Sequence, residues 1–316
     1  MGMRIVIALG GNAMTSPDGR ATPEHQASAI GEASEHIADL VALGHEVLLT
    51  HGNGPQVGDL LVKNELTAGH VPPVPLDWCG AQTQGTIGML LLNALEKSFR
   101  ARGLDRPCAA LVSRTLVDRA DPGFANPTKP VGRYLTAEAI EPLIASGQSF
   151  VEVADRGWRR VVPSPQPLDC LDARSADRLM QGGFVVVCSG GGGIPTVRGD
   201  DGTLHGVEAV IDKDLTAGLI ARQVGAHMLV IATDVESVIA DWGTDRARPI
   251  GSVTVEEMRE IAAEQGFAEG SMGPKVEAIT NFAESTEGTG VITSLARIAD
   301  AVDAGAGTQV TRAPQH

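Results

Sequence analysis

The sequence predicts an α/β protein: a three-layer αβα sandwich around a mostly parallel sheet, with a small protruding lid subdomain. Three observations carry this. Short apolar, β-branched runs alternate with stretches of helical periodicity along most of the chain, the rhythm of βαβ units. At least three of these runs stop in glycine-rich turns: Gly10-Gly11-Asn12, Gly52-Asn53-Gly54 and Gly190 to Gly193. From Val117 to Pro167 the rhythm breaks, and Pro122, Pro127, Pro130, Pro163, Pro165 and Pro167 punctuate the chain. We therefore expect one domain over residues 1–316, with 117–167 protruding from it as a flap or small subdomain.

In chain order, Arg4 to Leu9 reads as a buried strand. Thr22-Pro23-Glu24 is a helix start: a hydroxyl cap, then proline, then an acid. Ala27, Ile30, Ile37, Leu40 and Val41 share one face of that helix, and Gly44 ends it. Glu46 to Thr50 is a second strand, which makes a βαβ unit and favours parallel pairing. Helical spacing runs from Gln56 to Ala68 and from Ala81 to Arg102, and Cys108 to Val112 is a third strand. Inside the proline-rich region we expect a short helix (Thr136 to Ala145) and strand pieces (Phe150 to Val153, Trp158 to Val162). The βα rhythm then resumes: helix Asp172 to Gln181, strand Phe184 to Cys188, and a hairpin over Arg198 to His205 turning at Asp201-Gly202. After these come helix Asp212 to Val224, strand Met228 to Ala232, helices Val255 to Gln265 and Pro274 to Glu284, and strand Gly290 to Thr293. A short helix, Leu295 to Ala301, closes the fold.

Composition removes several function classes. Lysine and arginine number 25 against 39 acids, a net charge of −14, and no basic run exceeds Arg159-Arg160. That argues against nucleic acid as a partner, which requires a basic stripe. It also means an anionic ligand must be held by a few local cations and backbone amides. The longest apolar runs span five residues, far below the ~18 of a transmembrane helix, so no membrane partner is expected. The opening MGMRIVIALGGN is too short in apolar length for a signal-peptide core. Cys79, Cys108, Cys170 and Cys188 form no C-x-x-C pair and no zinc spacing with histidine, so no metal site is assigned, and the three that lie in apolar stretches read as small buried hydrophobes. Together these features point to a cytoplasmic protein.

In open α/β sheets ligands bind beyond the carboxyl ends of the strands. One Gly-Gly turn there is ordinary turn chemistry, but three at one edge suggest a phosphate-binding rim. P-loop, dinucleotide, protein-kinase, zinc-protease and G-x-S-x-G signatures are missing. Only five lysines occur. Lys63 and Lys97 fall among polar helical residues and read as solvated. Lys129, Lys213 and Lys275 sit instead in rigid junctions, Pro127-Thr128-Lys129-Pro130, Ile211-Asp212-Lys213-Asp214 and Met272-Gly273-Pro274-Lys275, and as a set look like clamps for a phosphoryl group. His51 reads first as a loop hydrogen-bonder and second as a base. Asp234, at a strand end, fits a helix cap and a ribose contact equally, and Trp78 reads as packing.

These segments carry a resemblance. ALGGNA (Ala8 to Ala13), THGNGPQVG (Thr50 to Gly58), NPTKPVG (Asn126 to Gly132), VVPSP (Val161 to Pro165), GGGGIP (Gly190 to Pro195), GVEAVIDKDL (Gly206 to Leu215), ATDV (Ala232 to Val235) and GSMGPKVEA (Gly270 to Ala278) run in order along the chain. Together they resemble the carbamate kinases of the amino acid kinase superfamily. The resemblance implies reversible phosphoryl transfer between carbamoyl phosphate and ADP, giving ATP and carbamate, with Mg²⁺ on the nucleotide side and a homodimeric assembly. It implies that Gly10, Gly11, Asn12, Gly52, Asn53 and Gly54 line the carbamoyl-phosphate side and that Lys129 reaches in from the lid. It further implies that Lys213 and Lys275 grip the phosphoryl group and the nucleotide phosphates, that Asp214 orients the lysines, and that Thr233, Asp234, Met272 and Gly273 complete the nucleotide side. The chain departs from its relatives at Arg133-Tyr134, where Pro-Phe is common, and at Ile239, where an aromatic is common. An attacking carbamate oxygen is already anionic, so this chemistry needs charge clamps and alignment rather than a general base.

Overall fold

The computed structural model describes residues 2–11, 22–267 and 272–312. Strand β1 (Arg4–Leu9) is buried on both faces. Ile5, Ile7 and Leu9 point into one hydrophobic cluster, and Val6 and Ala8 point into another. That alternation places β1 at the centre of a sheet covered on both sides. Helix α1 (Pro23–Ala42) begins as its sequence dictates: the Thr22 side chain accepts from the His25 amide and proline occupies the first turn. It buries Ile30, Ile37, Leu40 and Val41 and stops just before Gly44, whose φ of 88° suits glycine.

β2 (Glu46–His51) follows, then α2 (Gly54–Thr67) and α3 (Leu76–Ala101). Both helices start earlier than the periodicity indicates. α3 begins directly after Pro75, which offers no capping side chain, so Asp77 alone in its first turn hints at a helix start. β3 (Cys108–Ala110) stops short of Val112, and β4 (Arg114–Leu116) departs into a different sheet. The proline-rich stretch contains β5 (Lys129–Leu135), α4 (Ala137–Ala145), β6 (Ser149–Val153) and β7 (Gly157–Val162). After it come β8 (Asp169–Cys170), α5 (Ala173–Gln181), β9 (Val185–Val187), β10 (Ile194–Arg198), β11 (Leu204–Gly206), α6 (Lys213–Gln223) and β12 (Met228–Thr233). The chain ends through β13 (Ile239–Ala240), β14 (Arg248–Pro249), β15 (Ser252–Thr254), α7 (Val255–Gln265), α8 (Met272–Ser285), β16 (Thr289–Ser294), α9 (Ile298–Asp303) and β17 (Thr308–Thr311).

The main sheet has the order β15-β17-β16-β12-β1-β2-β9-β3. Its pairings are parallel except β16 with β17. One face buries a cluster reaching α5 to α8, and the other a cluster reaching α1, α3 and α9, which is the αβα sandwich the sequence predicts. At about 1.5–3 kcal/mol for each fully buried aliphatic side chain, these two faces dominate the cohesion of the fold. The closing helix does not end the chain, because β17 returns beside β16 after Gly307 at φ 87°.

A second sheet, β11-β10-β4-β8, flanks the strand ends. The small sheet β5-β7-β6 is antiparallel and lies within the span expected to protrude. It is seated on α2 and the start of α3 by a cluster of Val57, Leu61, Leu76, Cys79, Val131 and Val162.

Candidate functional site

Parallel pairing brings the carboxyl ends of β1, β2, β9 and β12 to one edge, and each chain segment turns sharply there. Gly10 donates to the Ala232 carbonyl at 2.8 Å and Gly52 to the Leu9 carbonyl at 2.9 Å. These two amides extend the sheet pattern and are not offered to a ligand. What the glycines supply is close approach. A Cβ on Gly52 would lie 2.6 Å from the Gly11 nitrogen and 3.2 Å from Lys213 Cδ, and one on Gly191 would lie 2.1 Å from Asn53 Nδ2. The turn after β9 carries three consecutive left-handed glycines, Gly191, Gly192 and Gly193, so it wraps against β2 and α6 where no side chain fits. Asn12 lies outside the described residues.

The helices that leave this edge are as informative as the strands. α6 is capped by Asp212, whose Oδ1 accepts from the amides of Asp214 at 2.9 Å and Leu215 at 3.3 Å. Lys213 is therefore the first residue of that helix, and Lys275 lies in the first turn of α8. A cation at a helix N-terminus opposes the macrodipole. Two such placements at one edge cost the helices some local stability.

One carboxylate organises both cations. Lys213 Nζ donates to Asp214 Oδ1 at 2.6 Å, and Lys275 Nζ donates to Asp214 Oδ2 at 2.8 Å. The Asp214 side chain is 3% exposed, and those of Lys213 and Lys275 are 17% and 14% exposed. Burial disfavours the Asp214 anion, but the two ammonium groups outweigh it and hold the carboxyl below its ordinary range. Burial pulls the Lys213 ammonium down, and the neighbouring Lys275 charge adds to that against the pull of Asp214. Lys275 is also pulled down by burial, yet Asp214 raises it above the ordinary lysine value overall.

Beside this triad opens a crevice of about 1270 Å³, walled by the small sheet on one side and the strand-end turns on the other. Asn53, Gly54, Gly191, Lys129 and Asp212 line it. Lys213 and Lys275 do not, although their sequence neighbours Asp212 and Pro274 do, so the lysine pair adjoins the crevice without lining it. Lys129 reaches from β5 to Asp212 Oδ2 at 2.7 Å. The three junction lysines thus converge through two adjacent carboxylates, while Lys63 and Lys97 are exposed on α2 and α3.

The remaining predicted residues fall as follows. Asn53 is buried, and its Nδ2 donates to Thr83 Oγ1 at 2.9 Å. Thr233 closes β12 and donates to Asp234 Oδ1 at 3.0 Å. No helix begins at Asp234, so it caps none. Met272 and Gly273 open α8 directly before Lys275. His51 is fully buried, and its Nδ1 bonds the Gly52 carbonyl at 2.9 Å. Burial lowers it to about 4, so it is neutral at physiological pH and shapes the turn. Trp78 is 60% exposed, which overturns its reading as a packing residue. Sequence reasoning missed Asp212, although a carboxylate directly before a helical segment is a capping signal. It also passed over Arg159, noted only as half of a short basic run.

The amino acid kinase family model matches residues 3–294. The carbamate kinase of Thermococcus kodakarensis is 43% identical over 315 residues, covering 98% of this chain and 99% of the relative. That of Pyrococcus furiosus is 41% identical over 314 residues, with 98% and 99% covered. Among solved structures, the carbamate kinase of Giardia lamblia bound to AMP-PNP superimposes with a TM-score of 0.93 at 38% identity, covering 98% of each chain.

Proposed function

The chain belongs to the amino acid kinase family and, within it, to the carbamate kinases, and from that premise we infer how its residues carry out the reaction. The reaction is reversible phosphoryl transfer between carbamoyl phosphate and ADP, giving ATP and carbamate. In the ATP-forming direction a terminal oxygen of ADP attacks phosphorus, the bond from phosphorus to the carbamate oxygen breaks, and carbamate leaves as an anion. No proton moves at the reacting atoms, which suits a site whose one histidine is buried and neutral.

The observation that carries the reading is the Lys213–Asp214–Lys275 triad, two ammonium groups fixed on the two oxygens of one buried carboxylate. Such a pair stands ready to neutralise charge on the phosphoryl oxygens without reorganising during transfer. Lys129 and Asn53 occupy the crevice on the carbamoyl side, with Gly10, Gly11, Gly52 and Gly54 allowing close approach. Thr233, Asp234, Met272 and Gly273 serve the nucleotide. Among the described residues no group of three or more histidine, cysteine or acidic side chains could hold a metal, and Asp212 and Asp214 are already engaged by lysines. Mg²⁺ in this reading arrives on the nucleotide, as part of that substrate. Residues 117–167 act as a lid that keeps water from the phosphoryl group.

The assembly is a homodimer. Its support is the exposed apolar set Trp78, Met89 and Val112 on α3 and beyond the edge strand β3, and light scattering should return twice the chain mass of 32.8 kDa. The reading is tested by mixing protein with ADP, Mg²⁺ and carbamoyl phosphate and measuring ATP. Formation of ATP that Lys213→Ala and Lys275→Ala both lose is the expected result, and full activity in both variants removes the assignment.

A further inference from the structure

Three cations of the proline-rich region line the crevice: Lys129, Arg133 and Arg159. Two are matched to carboxylates, Lys129 to Asp212 at 2.7 Å and Arg133 to Glu65 at 2.9 Å. Among the described residues Arg159 has no carboxylate within 4 Å. Its Nη1 donates only to the Tyr134 hydroxyl, at 3.5 Å, and its Nε is buried with no hydrogen-bond partner. A buried guanidinium N–H without an acceptor is costly to keep, and Arg159 as a residue lines the cavity in which an anion must bind.

The position of Arg159 is fixed. It lies directly across from Tyr134 in the β5–β7 pairing, next to a register shift between Val131 and Tyr134. Its guanidinium packs over the Tyr134 ring at 5.2 Å, an arrangement that favours the cation and limits its rotation. Lys213 and Lys275 already supply charge at the phosphoryl side. An arginine presents a planar fork, and the planar group in this reaction is the carbamoyl or carbamate end, with the shape and charge distribution of a carboxylate.

We propose that Arg159 is a substrate-binding residue that holds the planar carbamoyl end of the substrate, with Tyr134 as its positioning residue. This rests on the carbamate kinase reading. The test is steady-state kinetics of ATP formation, with carbamoyl phosphate and ADP varied separately, in wild-type protein and in Arg159→Gln, Arg159→Lys, Tyr134→Leu and Arg160→Gln. Arg160 also has a buried Nε without a partner, but it does not line the crevice and ties the same strand to Glu208 at 3.0 Å, so it controls for the orphan N–H alone and for looser docking of the small sheet. Arg159→Gln should raise KM for carbamoyl phosphate about 30-fold or more, the effect of deleting a charged partner of a bound anion, with KM for ADP within about threefold. Arg159→Lys should recover part of that loss, because charge returns without the fork. Tyr134→Leu should raise the same KM by less, and Arg160→Gln should leave both constants within about twofold. Unchanged KM for carbamoyl phosphate in Arg159→Gln and Arg159→Lys overturns the proposal. So does an equal rise for ADP, or an equal rise in Arg160→Gln. Wild-type protein that forms no ATP overturns the reading beneath it as well.

Discussion

Lys129 donates to Asp212 Oδ2 at 2.7 Å, while Oδ1 of the same carboxylate caps the helix that begins with Lys213. One side chain therefore registers the small sheet against the start of the helix that carries Lys213, the lysine proposed to act on the phosphoryl group. Asp212→Asn retains an oxygen for the cap and loses the ion pair. We expect kcat/KM for carbamoyl phosphate to fall about tenfold with the urea midpoint nearly unchanged. Asp212→Ala should show the same kinetic loss plus about 1 kcal/mol of lost stability from the missing cap, read from urea unfolding.

Asp214→Asn removes the negative charge that two buried ammonium groups share. ATP formation should fall by about 10² to 10³, and stability by about 3–5 kcal/mol because both cations are left uncompensated. Urea unfolding of the purified variant separates the two effects.

The alkaline side of the rate profile should report Lys213. Its folded pKa is lowered, chiefly by burial, and only the protonated amine can neutralise phosphoryl charge. Activity should therefore fall with rising pH before the ordinary lysine range is reached. Lys275, held up by Asp214, should not set this limb. Lys213→Arg, which stays protonated, should keep a small residual rate and move the limb to higher pH in ATP-forming assays.

His51 makes stability pH-dependent on the acid side. Its folded pKa is about 4, lowered from 6.5 by burial, so the unfolded chain binds the proton first as pH falls. Stability from this group is complete above pH 6.5 and declines through the interval down to about 4, by about 3 kcal/mol in all. His51→Asn keeps a donor for the Gly52 carbonyl and cannot titrate there. Its loss of stability between pH 7 and 4.5, measured by denaturant, should be smaller than that of the wild type by most of this amount.

How far the sequence reached depended on whether a signal was local. α1 and α7 are legible because an apolar period and a capping residue agree, as with Thr22 for α1 and the Thr254–Glu257 capping box for α7, and β1 because an unbroken apolar run stops at glycines. β4, β8 and β13 to β15 escaped because two or three residues contain no period, and β17 because Gly305 and Gly307 break the pattern around it. At the site, the lysines could be singled out by their rigid neighbours. The bond from Lys275 to Asp214 spans 61 residues, and that from Lys129 to Asp212 spans 83. Those pairings are products of the sheet order, which no single segment encodes. Arg159 was hidden for a related reason: its value lies in the partner it lacks.

The place of β1 between β2 and β12 also has a consequence for biosynthesis. Its second edge pairs Ile5 with Met228 and runs to Leu9 with Ala232. At about 5–20 residues per second, a ribosome needs about 10 to 45 s to make the intervening chain. Throughout that time a strand built of isoleucine, valine and leucine has one side without its mate. Newly made protein should therefore depend on chaperone cover until β12 emerges, and fragments ending before residue 228 should aggregate when expressed alone.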